Sequence, residues 1–224
     1  METSKNIYQR QGLFITFEGT EGAGKSTQVR RLAAALRVRN YDVCETREPG
    51  GTVLGEKLRE LVKHGYQGPA PCAMSELLLM AASRAQLVEE VIKPALDRRV
   101  IVICDRFADS TTVYQGYGRG LDLTFINQLH HQTVGDCWPN LTLLLDLDLD
   151  VSLARAAERT SSRAAMQRTD RFEAEKRSFH HKIQQGFSEV ARKNSDRIRT
   201  IPAAGSEEEV HRLVMEVVND ALGT

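Results

Sequence analysis

The stretch "LFITFEGTEGAGKSTQ", residues 13–28, constrains the fold more than any other part of the chain. An apolar run of buried-strand length, Leu13 to Glu18, meets a turn with glycines at 19, 22 and 24, and a helix-period segment opens at Lys25. The turn satisfies G-x-x-x-x-G-K-[ST] through Gly19, Gly24, Lys25 and Ser26, in the strand–turn–helix context that gives the pattern its meaning. Glycines let backbone N–H groups turn inward around phosphates, and the helix N-terminus adds favourable partial charge. The loop Gly19, Thr20, Glu21, Gly22, Ala23, Gly24, Lys25, Ser26 and Thr27 is therefore expected to bind the phosphates of a nucleoside triphosphate. Lys25 should reach the β- and γ-phosphates, and the Ser26 hydroxyl should bind Mg²⁺. The pattern is that of a P-loop NTPase, and alone it does not separate kinases from switches or motors. Glu21 stands out, because a carboxylate at the tip of an anion-binding loop should repel the ligand.

The rest of the chain repeats the alternation. "VIVICD" (100–105), "LTLLLDL" (141–147) and "RIRTIP" (197–202) have the near-continuous apolar character of strands covered on both faces, and "YDVCET" (41–46) is a weaker fifth. Helical spacing runs through 25–39, 73–97, 150–160, 171–194 and 206–222. The expected fold is α/β: a five-stranded parallel sheet with helices on both faces, its ligands outside the carboxyl ends of the strands. No Gly/Ser/Pro linker divides the chain, so residues 13–224 are expected to form a single kinase-sized domain with a short lid at about 158–172, after a flexible N-terminal leader, 1–12.

Composition removes several alternatives. The 30 basic and 30 acidic residues cancel, so no global field draws the chain to nucleic acid or an anionic membrane. No run of eighteen apolar residues and no signal-peptide core occurs. Cys44, Cys72, Cys104 and Cys137 are scattered without a CxxC pair, a pattern that argues against zinc and suits a reducing cytoplasm.

Four further clusters fall at expected strand ends or helix faces. In "TREPGGT" (46–52), Arg47 stands where a strand ends beside a Pro-Gly-Gly turn. In "SRAQLVEEVIKPAL" (83–96), Arg84 shares a helix face with Met80 and Leu87. Taken alone, the first also reads as a surface arginine and the second as a snorkelling side chain. "VIVICDRFADSTTVYQGYGRG" (100–120) is more telling. Asp105 ends a buried strand where a Mg²⁺-associated carboxylate is expected. Arg106 follows at once, and then come Ser110, Thr111, Tyr114 and Gln115, hydrogen-bonding groups able to read a nucleotide. "ERTSSRAAMQRTDRFE" (158–173) carries Arg159, Arg163, Arg168 and Arg171, which fits either a solvated basic face or a lid that brings an arginine to a transferring phosphoryl group.

Together "FEGTEGAGKST", "TREPGGT", "RAQLVEEVIKPAL", "DRFADSTTVYQGYGRG" and "DRFE" resemble the successive motifs of bacterial thymidylate kinases, in that family's order, from about Leu13 to the last helix. The resemblance implies transfer of the ATP γ-phosphoryl to dTMP, giving dTDP for dTTP synthesis, by a cytoplasmic homodimer that uses Mg²⁺. By motif, Arg47, Arg84 and Arg106 would hold the dTMP phosphate, Thr111 and Gln115 would read thymine, and Tyr114 would lie under the deoxyribose. Phe172 would pack near the acceptor nucleoside, with Asp170 and Glu173 ordering the acceptor side and its metal or water. Arg155 and the "IPAA" stretch would line the adenine. Glu21 would meet the acceptor's 3′-hydroxyl, which accounts for an acid in the loop, and the catalytic arginine would come from Arg159, Arg163 or Arg168. Two positions depart from the pattern: Met80 stands where an aromatic often stacks on thymine, and Phe107 replaces the usual Tyr or His. A kinase for another nucleotide, or a nucleotide-dependent switch, is the competing expectation.

Overall fold

Strand β1 (Phe14–Glu18) is buried along its whole length, as its unbroken apolar sequence requires. The structure, a computed structural model, describes residues 12–65, 70–163 and 171–224, the side chains of 159–163 excepted. Of the expected leader only Gly12 is among them, and it is buried.

The chain runs from β1 through α1 (Lys25–Val38), β2 (Val43–Arg47), α2 (Val53–His64) and α3 (Ala73–Leu87). A π-helical turn, Val88–Ile92, leads to α4 (Lys93–Asp97) and then β3 (Ile101–Asp105). Next come α5 (Ala108–Thr111), a second π-helical turn (Thr112–Gly118), α6 (Leu123–Val134) and β4 (Leu141–Asp146). The chain closes with α7 (Leu149–Arg163), α8 (Arg177–Lys193), β5 (Ile198–Pro202) and α9 (Glu207–Leu222).

All pairings are parallel, in the order β2-β3-β1-β4-β5. Side chains alternate across β1. Ile15 and Phe17 join Leu32 and Leu36 of α1 and Val214 and Val218 of α9 in one core. Phe14 faces the other layer with Val102, Cys104, Phe107 and Leu87. A third cluster ties Val113 and Tyr114 of the second π-helical turn to Phe179, Ile183 and Phe187 of α8. The edge strand β2 is half exposed, which is why its sequence signal is weaker.

The expected helix at 73–97 is continuous but not regular. Pro94 has no N–H to offer the carbonyl one turn back, and the widened turn Val88–Ile92 lies just before it. Helices α2 and α6 and the segment 108–118 were not anticipated by periodicity. The register places Arg47 opposite Asp105, and Asp105 opposite Phe17. Arg47, Asp105 and Glu18 thus lie at the carboxyl ends of three neighbouring strands, where the phosphate loop begins. Among the described residues no helix is long and apolar enough to cross a membrane, and all four cysteines are free.

Candidate active site

The phosphate loop is held open by close backbone approaches. At Gly19, φ is 136°, and a Cβ would stand 2.5 Å from the Leu145 carbonyl oxygen. At Gly22, φ is 79°, and a Cβ would collide with the Ser152 carbonyl. Ser152 of α7 also clamps the loop tip, its Oγ donating to the Glu21 carbonyl and lying 2.8 Å from the Thr20 hydroxyl, which can donate in turn. Lys25 Nζ donates to the carbonyls of Thr20 (2.7 Å) and Gly19 (3.1 Å). Burial, and then the nearby Arg106 cation, push the Lys25 pKa down to about 8. Two cations pressed together at the mouth of an anion cradle favour whatever adds negative charge.

Ser26 Oγ donates to Asp105 Oδ2 at 2.5 Å, joining the head of α1 to the end of β3. A hydroxyl and a carboxylate, both hard oxygen donors, fit an ion such as Mg²⁺ that takes few protein ligands and fills its shell with phosphate and water. Among the described residues no group of three His, Cys, Asp or Glu could hold a metal alone. Glu173, the third expected ligand, sits in the turn 171–174 before α8.

Arg106 is the hub of the cleft. Its backbone is left-handed, φ 69°, and its N–H donates to the Phe17 carbonyl at 2.9 Å. The guanidinium donates to the Gly19 carbonyl and to Ser110 Oγ (both 3.0 Å), and also to Glu21 Oε1 (2.7 Å) and the Tyr114 hydroxyl (3.1 Å). It also lies over the Tyr114 ring, 5.1 Å from its centroid. Glu21 therefore points to Arg106 and Tyr114. Burial pushes the Tyr114 phenol up, so it remains a hydroxyl. Its ring meets Phe172 edge-on, centroids 5.6 Å apart, and half-buried Met80 packs against the same cluster.

The three arginines expected on the acceptor phosphate have different partners. Exposed Arg47 donates to Glu56 Oε2 (2.8 Å), a surface pair that costs little to break. Arg84, 1% exposed, is gripped by both oxygens of buried Glu48 and donates to Thr111 Oγ1 at 2.6 Å. Neutral His130, its pKa pushed down to about 3 by burial and then by Arg84, takes a further Arg84 N–H at Nδ1 (3.2 Å). Of the three, it is Arg106 that bonds to the phosphate loop, through the Gly19 carbonyl and Glu21. Gln115 is fully buried; its Nε2 donates to Glu76 Oε1 (3.0 Å), while its Oε1 has no partner.

Four acids organise this cleft without being singled out by the sequence. Glu48 neutralises Arg84. Glu76, 1% exposed, binds Arg119 (3.0 Å) and Arg171 (3.2 Å) besides Gln115. Glu18 accepts from Phe107 N and Ser110, and Asp109 pairs with Arg197 at 2.8 Å. One signal was available: Glu76 lies one turn before Met80 and two before Arg84, on their helix face. At the far side Arg155 Nη1 donates to the Ala203 carbonyl (3.3 Å), bringing α7 to the "IPAA" stretch at the end of β5. Arg168 and Asp170 lie outside the described residues, as do the side chains of Arg159 and Arg163.

A family model described as thymidylate kinase matches residues 17–214. The thymidylate kinase of Syntrophotalea carbinolica is 45% identical over 207 residues, 92% of this chain and 95% of that protein. That of a Synechococcus strain is 48% identical over 210 residues, covering 94% and 96%. A crystal structure of thymidylate kinase from Ehrlichia chaffeensis superposes with a TM-score of 0.73 at 36% identity, covering 93% of this chain and 98% of that one.

Proposed function

The chain belongs to the thymidylate kinase family, and from that premise we propose which of its residues carry the reaction. It is an ATP-dependent kinase that phosphorylates dTMP to dTDP. The observation that carries our assignment of the site is the reach of Arg106 from the Gly19 carbonyl and Glu21 of the phosphate loop to Ser110 and Tyr114 on the opposite wall.

The acceptor atom is a phosphate oxygen, already ionised near neutral pH because the second pKa of a phosphate monoester is about 6. No general base is needed. Two polyanions must be brought in line while their repulsion is cancelled. On the donor side Lys25 leaves its loop carbonyls for the β- and γ-phosphates. Ser26 and Asp105 would hold Mg²⁺, which supplies charge neutralisation on the ATP phosphates. Arg155 and the segment after β5 flank the adenine. On the acceptor side Arg106 takes the dTMP phosphate, with Arg47 released from Glu56 to assist. Tyr114 and Phe172 border the sugar, and Glu21 accepts from the 3′-hydroxyl. Arg159, Arg163 and Arg168 keep the role of transition-state arginines on sequence grounds alone, as Glu173 does for the metal.

We assign Arg84 to the base rather than to the phosphate. Glu48 neutralises its charge, and its other bond holds Thr111. Gln115 Oε1 is a buried acceptor without a donor, which suits the imide N3–H of thymine. Cytosine presents an acceptor at N3 and would leave both groups unpaired. Uracil differs from thymine only by a methyl, worth roughly 1 kcal/mol on burial against Met80. With Mg-ATP and each of dTMP, dUMP, dCMP, AMP and GMP, ADP release should be strong with dTMP. It should be about fivefold weaker in kcat/KM with dUMP and near background with the rest. Turnover of dCMP comparable to dTMP would overturn the base assignment.

We place the enzyme in the cytoplasm, where free thiols persist, and propose that it is a homodimer. Val53, Leu54 and Leu61 of α2, Met74 and Leu78 of α3 and Phe125 of α6 are exposed apolar side chains on helices that pack side by side. Sedimentation should give twice the 25.1 kDa of the chain, and Leu78→Glu should shift it towards the monomer. A wild-type monomer at micromolar concentration would refute this.

A further inference from the structure

Glu18 is not used by the mechanism above, yet it is a fully buried carboxylate at the acceptor end. Its side chain ends β1, is 1% exposed, and accepts from Phe107 N (2.8 Å), Ser110 N (3.3 Å) and Ser110 Oγ (2.5 Å). Those donors belong to the turn that follows Arg106, so Glu18 fixes the segment in which Arg106 keeps its left-handed backbone. The guanidinium itself is 4.0 Å away and shares the Ser110 hydroxyl: Arg106 donates to Ser110 Oγ, and Ser110 donates to Glu18. A chain of three groups thus joins a buried acid to the arginine that faces the acceptor phosphate.

We propose that Glu18 is a positioning residue that takes up a proton when the acceptor phosphate docks on Arg106. Docking places a dianion near a carboxylate that has no water to screen it, and it draws the Arg106 charge away from Glu18. A solvent proton on Glu18 Oε2 relieves the repulsion. The new O–H donates to Ser110 Oγ, which already accepts from Arg106, and the Ser110 hydrogen turns from Glu18 to a phosphate oxygen. One proton enters, no covalent bond is exchanged, and the phosphate gains a donor. The other charged or titratable groups that act with Glu18 are Asp109 on α5, Lys25 at the head of α1, Tyr114, and Arg197 ahead of β5. Burial first, and then Asp109, push the free Glu18 pKa up to about 7 against the pull of Arg106, Ser110 and Phe107 N. Above that pH Glu18 is ionised in the free enzyme and protonated in the complex, so dTMP binding weakens as pH rises. Below it Glu18 is protonated in both states and no uptake occurs. The acceptor's own ionisation, near pH 6, lies beneath this window.

The inference rests on the placement of the dTMP phosphate at Arg106, and the test separates the two. Calorimetric titration of dTMP into the full chain, at pH 7.5 and 8.5 in two buffers of different ionisation enthalpy, should show uptake on the order of half a proton per site. Thymidine, which lacks the phosphate, should show none. In Glu18→Gln the uptake should fall at pH 7.5, leaving only what Lys25 takes up, since its pKa of about 8 lies in the same window. Wild-type protein that takes up no proton across this range overturns the proposal without any variant, as does uptake that is undiminished in Glu18→Gln. If Arg106→Ala binds dTMP like wild type, the phosphate placement has failed. If Arg106→Ala loses dTMP while wild type takes up no proton, only the role of Glu18 has failed.

Discussion

Arg106→Ala is expected to lower kcat/KM for dTMP about 10²–10³-fold while leaving a cooperative thermal transition in place. The side chain serves four partners at once, and two of them, the Gly19 carbonyl and Glu21, belong to the phosphate loop. Its loss therefore removes charge from the acceptor and also the strut between the two substrate walls. Alanine has the same Cβ as arginine, so the left-handed backbone at φ 69° is no more strained in the variant than in the wild type. Glu18 keeps its donors from Phe107 and Ser110, which anchor the turn without the guanidinium. Arg106→Lys should restore only part of the rate, because an ammonium cannot serve the same fork of acceptors. Steady-state kinetics with dTMP varied at saturating Mg-ATP would decide it. Activity within tenfold of wild type in Arg106→Ala would mean that the acceptor phosphate binds elsewhere.

What the sequence made legible was local. The phosphate loop, its strand and its helix are adjacent in the chain, and their chemistry is written in glycines, a lysine and a hydroxyl, so their placement follows from one motif. The same holds for Asp105 and Arg106, which end a strand whose apolar run is unmistakable. Pairings that cross the chain were not legible. Glu48 and Arg84 stand 36 positions apart, and Gln115 and Glu76 stand 39 apart. Neither acid carries a local mark of burial, because an acid before a turn or on a helix face is usually solvated. The partner that neutralises Arg84 is for that reason visible only in three dimensions. The segment 108–118 hid for another reason. It is a short α-helix running into a π-helical turn, and neither period is long enough to register in a hydrophobic pattern. The exposed face of β2 and the polar half of β5 likewise follow from their edge positions, which only the strand order reveals.

Because Arg84 and Glu48 are both buried, Glu48→Ala should be among the most damaging single changes for stability. The guanidinium would keep its place among Phe107, Thr111 and His130 but lose the carboxylate that neutralises it. His130 offers little relief, since it is neutral and already accepts an Arg84 N–H. An uncompensated buried charge costs about 3–5 kcal/mol, which for a domain of this size is a fall in melting temperature of roughly 6–20 °C. Replacing both members with apolar groups of similar volume, as in Glu48→Leu with Arg84→Met, removes the charge together with its partner and should recover more than half of that loss. Recovery of stability should not restore function. The double variant has no donor to hold Thr111, so its KM for dTMP should stay raised even where its melting temperature approaches wild type. A double variant as unstable as Glu48→Ala would show that packing rather than charge sets the cost at this site. One that matches wild type in KM would separate Arg84 from the base, and Gln115 with its unpartnered oxygen would then carry thymine recognition without it.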